Sequence, residues 1–160
     1  MRTTKIIFAL MTTFALLLSA CKASIARNQD GSLDVETIIT QQELQDVISA
    51  SIADPLIKEI TASLQSGYVL VSGTRERLND SSKSDTLSFR LDMGVSNGQI
   101  ITSISNAQLD GIAIEQNRVD HWNETIANRI AILGSKSPQS TLKSVSITPD
   151  AVTMSWNITK

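Results

Sequence analysis

Leu87, Phe89, Leu91, Met93 and Val95 occupy every second position of one stretch, with Ser88, Arg90 and Asp92 between them. Side chains alternate across a β-strand, so this period sends the apolar set to one buried face and the polar set to the other. Asn97-Gly98 follows directly. Both residues tolerate the positive φ that a two-residue type I′ turn requires, so the chain must return antiparallel. The return strand runs from Gln99 to Leu109, and its alternation changes face near Ile104, which demands a bulge or strong curvature.

Other elements gather around this hairpin. Thr40-Gln41-Gln42-Glu43 has the form of a capping box, and Ile39 before it can staple against Leu44, which marks a helix start. Leu44, Val47, Ile48 and Ile52 then recur at helical spacing until Asp54-Pro55 stops the helix. Ile60, Ala62 and Leu64 alternate, Ser66-Gly67 turns, and Tyr68 to Val71 reads as a buried strand. Residues 78–85 are polar and are expected to form a loop. Val119, Trp122, Ile126, Ile130 and Leu133 define a second amphipathic helix that ends at Gly134. Val145 and Ile147 make a further strand, Thr148-Pro149-Asp150 turns, and Val152, Met154, Trp156 and Ile158 alternate after it. The expected fold is α+β, an antiparallel sheet of about six strands packed on two helices in the order α-β-β-β-β-α-β-β.

The N-terminal region has a different character. Arg2 and Lys5 precede an apolar stretch, Ile6 to Leu18, and then Leu18-Ser19-Ala20-Cys21. This is the three-part layout of an export signal over residues 1–20. The apolar stretch falls short of the ~20 residues a membrane span needs. Leu18 to Cys21 resembles the bacterial lipobox, which implies cleavage before Cys21 and attachment of a diacylglyceryl group to its thiol. Two or more acyl chains anchor durably, since each buried methylene contributes ~0.8 kcal/mol. Lys22, not Asp, follows the cysteine. The lipobox resemblance therefore implies the outer membrane in a cell that has two, with the domain on the extracytoplasmic face. Residues 21–36 lack sustained periodicity and are expected to act as a lipidated tether, with a reach on the order of 50 Å at ~3.3 Å per residue. Residues 37–160 are expected to form one domain, since the ~140 residues that follow the signal are enough for a single core and too few for two.

Composition excludes several functions. The formal charge of −2 becomes more negative once Arg2 and Lys5 leave, and no basic run offers a stripe for nucleic acid. Beyond the signal only Tyr68, Phe89, Trp122 and Trp156 are aromatic, too few for a base-stacking platform. Cys21 is the single cysteine, so no internal disulfide can form. His121 is the single histidine; Asp120 and Glu124 are near it, but no companion at ligand spacing suggests a metal site. Asp110, Glu115, Asp120 and Glu124 gather around the start of the second helix, where carboxylates commonly complement the helix dipole. No nucleophile elbow, phosphate loop or dinucleotide fingerprint occurs, so neither an enzyme nor a cofactor is expected.

Three stretches carry a resemblance. Asp92 to Ile101 around Asn97-Gly98, Gly111-Ile112-Ala113 before the second helix, and Ser144-Val145-Ser146-Ile147-Thr148-Pro149-Asp150 are similar to a pattern of short bacterial lipoproteins. Their layout resembles one half of the tubular lipid-binding superfamily, to which the bactericidal permeability-increasing proteins belong. The resemblance spans roughly residues 37–160. It implies a twisted antiparallel sheet wrapped on a long helix and an apolar groove for an acyl chain or similar ligand. In this chain the groove would be lined by Leu44, Val47, Ile48, Ile52, Leu91, Met93, Trp122, Ile126, Ile130 and Leu133. The alternative is an envelope scaffold with a filled core and a protein partner.

Overall fold

The computed structural model describes residues 24–135, 137 and 139–159. The signal and Cys21 lie outside the described residues. The elements run β1 (Ser24–Arg27), β2 (Leu33–Thr40), α1 (Gln41–Ile52), β3 (Ile57–Leu64), β4 (Val69–Arg77), β5 (Asp80–Ser96), β6 (Gln99–Leu109), β7 (Ile112–Ala113), α2 (Gln116–Gly134), β8 (Ser140–Ile147) and β9 (Ala151–Ile158). The fold is α+β, with two antiparallel sheets ordered β1-β2-β9-β8 and β3-β4-β5-β6-β7. This corrects the single sheet of about six strands. All six expected strands form, but β9 pairs with β2, and β8 with β9, outside the five-stranded sheet, and β1, β2 and β7 are additional.

Strand β2 shows why the split was hidden. Val35, Thr37 and Ile39 are buried on one face, while Asp34, Ile38 and Thr40 are exposed on the other. A threonine at a core position interrupts the apolar signal, yet it has a physical role there. The Trp156 indole N–H donates to Thr37 Oγ1 at 3.0 Å, so a donor that would otherwise be buried alone is satisfied. The expectation of an irregular tether over residues 21–36 is corrected in the same way. Ser24 to Arg27 pair with Glu36 to Leu33, and β2 pairs with β9 from Leu33↔Ile158 to Thr40↔Ala151.

Residues 78–85 are also not a loop throughout. Asp80 to Asp85 extend β5 beside β4, with Arg75↔Asp85 and Glu76↔Ser84 as partners. Polar side chains suit this projecting end because both its faces meet water. Elsewhere the local signals hold. Asn97 and Gly98 have φ of 51° and 74°. On β6, two residues, Asn106 and Ala107, lie between the partners of Ser88 and Arg90, so the bulge expected near Ile104 falls at Asn106, whose φ is 54°.

The helices close the five-stranded sheet. Helix α1 starts with its capping box formed: Glu43 N–H donates to Thr40 Oγ1 at 3.3 Å and Thr40 N–H to Glu43 Oε2 at 2.8 Å. It runs along β3, α2 runs along β6, and the two helices touch each other and β2. Gln45 of α1 accepts from the Ala62 N–H of β3 at 3.2 Å. Asn123 of α2 accepts from the Ile104 N–H of β6 at 2.9 Å, and its carbonyl accepts from Thr102 Oγ1 at 2.7 Å. Side-chain amides thus meet the edge strand β3 and the part of β6 that the two-residue β7 leaves unpaired. Gly134 does not end α2 as a left-handed cap; it is the last helical residue and is buried. A Cβ there would overlap Met154 Cε and stand 2.9 Å from Trp156 Cζ2, so glycine is what lets α2 approach β9.

Candidate functional site

The residues expected to line an apolar groove are mostly core. Leu44, Val47, Ile48, Ile52, Leu91, Trp122, Ile126 and Ile130 are all at most 9% exposed and share one cluster with Val69, Phe89 and Met154. Phe89 and Trp122 pack ring against ring at 5.9 Å. Met93 is half-buried at the margin of the cluster. Leu133 is 41% exposed, a correction to its place on the buried stripe, and Gly134 takes the inward position beside it.

A cleft of about 540 Å³ lies elsewhere, lined by Arg77, Asp85, Leu109, Asp110, Ile112, Ala113, Ile114, Glu115 and Arg118. Local sequence builds each wall. Asp110 and Gly111, with φ of 52° and 79°, make the two-residue turn from β6 to β7. Strand β7 then presents Ile112, 74% exposed, along the rim. Glu115 caps α2 without a side-chain bond, and Arg118 follows one turn later. Arg77, near the end of β4, reaches Asp85 across the hairpin and Asp110 at 3.2 Å.

Behind the cleft stands Asp54, just past the end of α1. Its Oδ2 accepts from Arg75 Nε at 2.9 Å and from an Arg118 guanidinium N–H at 3.0 Å, and its Oδ1 accepts from the Leu56 N–H at 3.0 Å. Burial pushes this carboxyl up, but the bonds from Arg75, Leu56 and Arg118 outweigh it and hold the pKa below the ordinary 3.8. The Arg118 guanidinium also lies 5.1 Å from the Trp122 ring. One carboxylate therefore ties together the exit of α1, the end of β4 and the start of α2.

The cleft sets guanidinium donors beside apolar side chains. Each guanidinium carries five N–H donors, and the carboxylates in contact with Arg77 and Arg118 take only some of them. The remaining donors, beside apolar Ile112 and Ile114, can meet a partner's carboxylate and an apolar side chain together. His121 is exposed and lies outside this cleft. Asp120 accepts from Gln116 Nε2 at 2.7 Å, and Glu124 is exposed on α2. The four carboxylates grouped by sequence therefore separate: Asp110 and Glu115 line the cleft, while Asp120 and Glu124 do not. None of them falls in the first turn of α2. Among the described residues, no three His, Cys, Asp or Glu side chains are placed to hold a metal, and no helix is long and apolar enough to cross a membrane.

Sequence reasoning missed Asp54, Arg75, Arg77 and Arg118. Asp54-Pro55 was legible as a helix stop, but nothing in the sequence joins positions 54, 75 and 118 until the topology does. Comparison with known protein families, characterised proteins and solved structures found no match.

Proposed function

We propose that this chain is a lipid-anchored protein of the bacterial cell envelope, held at Cys21, whose domain is a binding module that works through its outer surface on a protein partner. The observation that carries the second half is the burial of both helix stripes. Leu44, Ile48, Ile126 and Ile130 are fully buried in one shared cluster, so the side chains that could have lined an acyl-chain groove are spent on the core. The surface cleft, with arginines beside exposed isoleucine, has the residue types that anchor protein interfaces. Lipid carriage inside the domain is the weaker reading for the same reason. Anchoring rests on the sequence Leu18-Ser19-Ala20-Cys21.

The test combines two measurements on the full chain. Cells fed labelled palmitate should label the protein, and Cys21→Ser should abolish the label. Crosslinking in those membranes should then capture one protein specifically, with capture reduced by Arg77→Glu. Copurified fatty acid or phospholipid in the Cys21→Ser form, together with no specific crosslink, would favour lipid carriage instead.

A further inference from the structure

We infer that the β1 edge of the four-stranded sheet lies against the headgroup layer of the membrane that the acyl chains enter, with Ile25 at the contact. The inference rests on the anchoring of Cys21 proposed above and names the surface that the anchor brings to the bilayer. Its basis is chain length. Three peptide units separate Cys21 from Ser24, where β1 begins. An extended chain spans at most ~3.3–3.6 Å per residue, so the strand starts within about 11 Å of the lipidated residue. The diacylglyceryl group holds that residue at headgroup level, because its acyl chains occupy the hydrocarbon.

Strand β1 cannot swing out as a tether. It is paired with β2 along its whole length, and β2 is paired with β9, so the sheet follows wherever the anchor holds β1. All four β1 residues are exposed, and among the described residues no strand pairs with its outer edge. Ile25 belongs to the row Ile25, Val35, Trp156, Leu142 that crosses the sheet on one face. Val35, Trp156 and Leu142 are at most 5% exposed, but Ile25 is 68% exposed, because β1 runs past the margin of the core.

The open edge fits the interface and not the hydrocarbon. Unpaired peptide groups are costly among lipid tails, whereas the headgroup layer supplies water and phosphate oxygens to meet them. The strand therefore lies at headgroup depth, and the isoleucine side chain alone reaches deeper. The one cationic residue of β1, Arg27, is outnumbered by Asp34 and Glu36 on β2. Docking then depends on covalent reach and Ile25 more than on anionic lipid.

The test uses the lipidated full chain in vesicles of phosphatidylethanolamine and phosphatidylglycerol, spin-labelled at Ile25→Cys or at Ser146→Cys. Cys21, as a thioether, takes no label. Ser146 is exposed on β8, three strands from β1 and so about 14 Å across the sheet at ~4.8 Å per strand. The Ile25 label should be several-fold better relaxed by oxygen than by a water-soluble nickel chelate, and the Ser146 label should show the reverse. A flexible Gly/Ser insert between Ala23 and Ser24 should move the Ile25 label toward water. Equal aqueous exposure of both labels in vesicle-bound protein overturns the docking and leaves the anchoring standing. A chain that takes up no palmitate and does not float with vesicles overturns both.

Discussion

The two sheets of this protein treat their edges differently. In the five-stranded sheet the helices lie along β3 and β6, and Gln45 and Asn123 take up backbone N–H groups of these two strands. In the four-stranded sheet one edge is tied to the other sheet, through Leu142 N–H to the Gly98 carbonyl at 2.8 Å and Gly67 N–H to the Ile147 carbonyl at 3.0 Å. The opposite edge, β1, has no strand partner among the described residues. An open strand edge invites pairing with other chains, and natural sheets cover or blunt theirs. The short β7 edge is only two residues long, so the longer open edge is β1, and it is the one that the proposed anchor at Cys21 would bring to the membrane.

The contrast yields a graded set of outcomes. The closed region rests on the shared core, so Leu44→Ala should lower stability by about 2–5 kcal/mol in urea unfolding, as large-to-small core changes do. A loss under about 1 kcal/mol would mean that α1 is not held as described. Gly134→Ala should come next, at about 1–3 kcal/mol, because the new methyl group forces Met154 and Trp156 aside. Asn123→Ala should cost about 1–2 kcal/mol by stranding the Ile104 N–H, and hydrogen exchange at Ile104 should quicken more than exchange at Val71 on the sheet's central strands.

Acid should act on the closed region through Asp54. Its folded pKa lies below the unfolded value, so the stability it contributes is complete above that value and drains as pH falls below 3.8 through the folded pKa. Asp54→Asn should lower stability by about 1–2 kcal/mol at neutral pH and flatten this part of the acid-unfolding profile. The smallest effect belongs to the open edge. Ile25→Ser should change the stability of the Cys21→Ser soluble form by less than about 0.5 kcal/mol, since the side chain is 68% exposed. A larger loss would show that β1 is part of the core and not a surface left for the membrane.

Legibility in the sequence followed the same division. Signals that act within a few residues could be read directly. The Thr40 to Glu43 capping box, the Asn97-Gly98 turn and the alternation from Leu87 to Val95 all formed as their residues require. Features that depend on partners far along the chain could not. Strand β2 is recognisable as a strand only once Thr37 is matched to the Trp156 indole, 119 residues away. Strand β7 is two residues long, too short for any period. The Asp54 cluster joins residues separated by 21 and 64 positions, and its members look like ordinary surface charges until β4 and α2 converge. Most of the groove residues are buried as their spacing implies, Leu133 and Met93 excepted, but periodicity alone does not distinguish a stripe that faces a ligand from one that faces another helix.

Neutron reflectometry of the lipidated protein on a supported bilayer tests the central claim most directly, by measuring the water between headgroups and domain. A β1 edge tied to the anchor by three peptide units predicts protein density beginning within about 11 Å of the headgroups. A hydrated gap of several tens of ångströms, as a free tether over residues 21–36 would give, contradicts it.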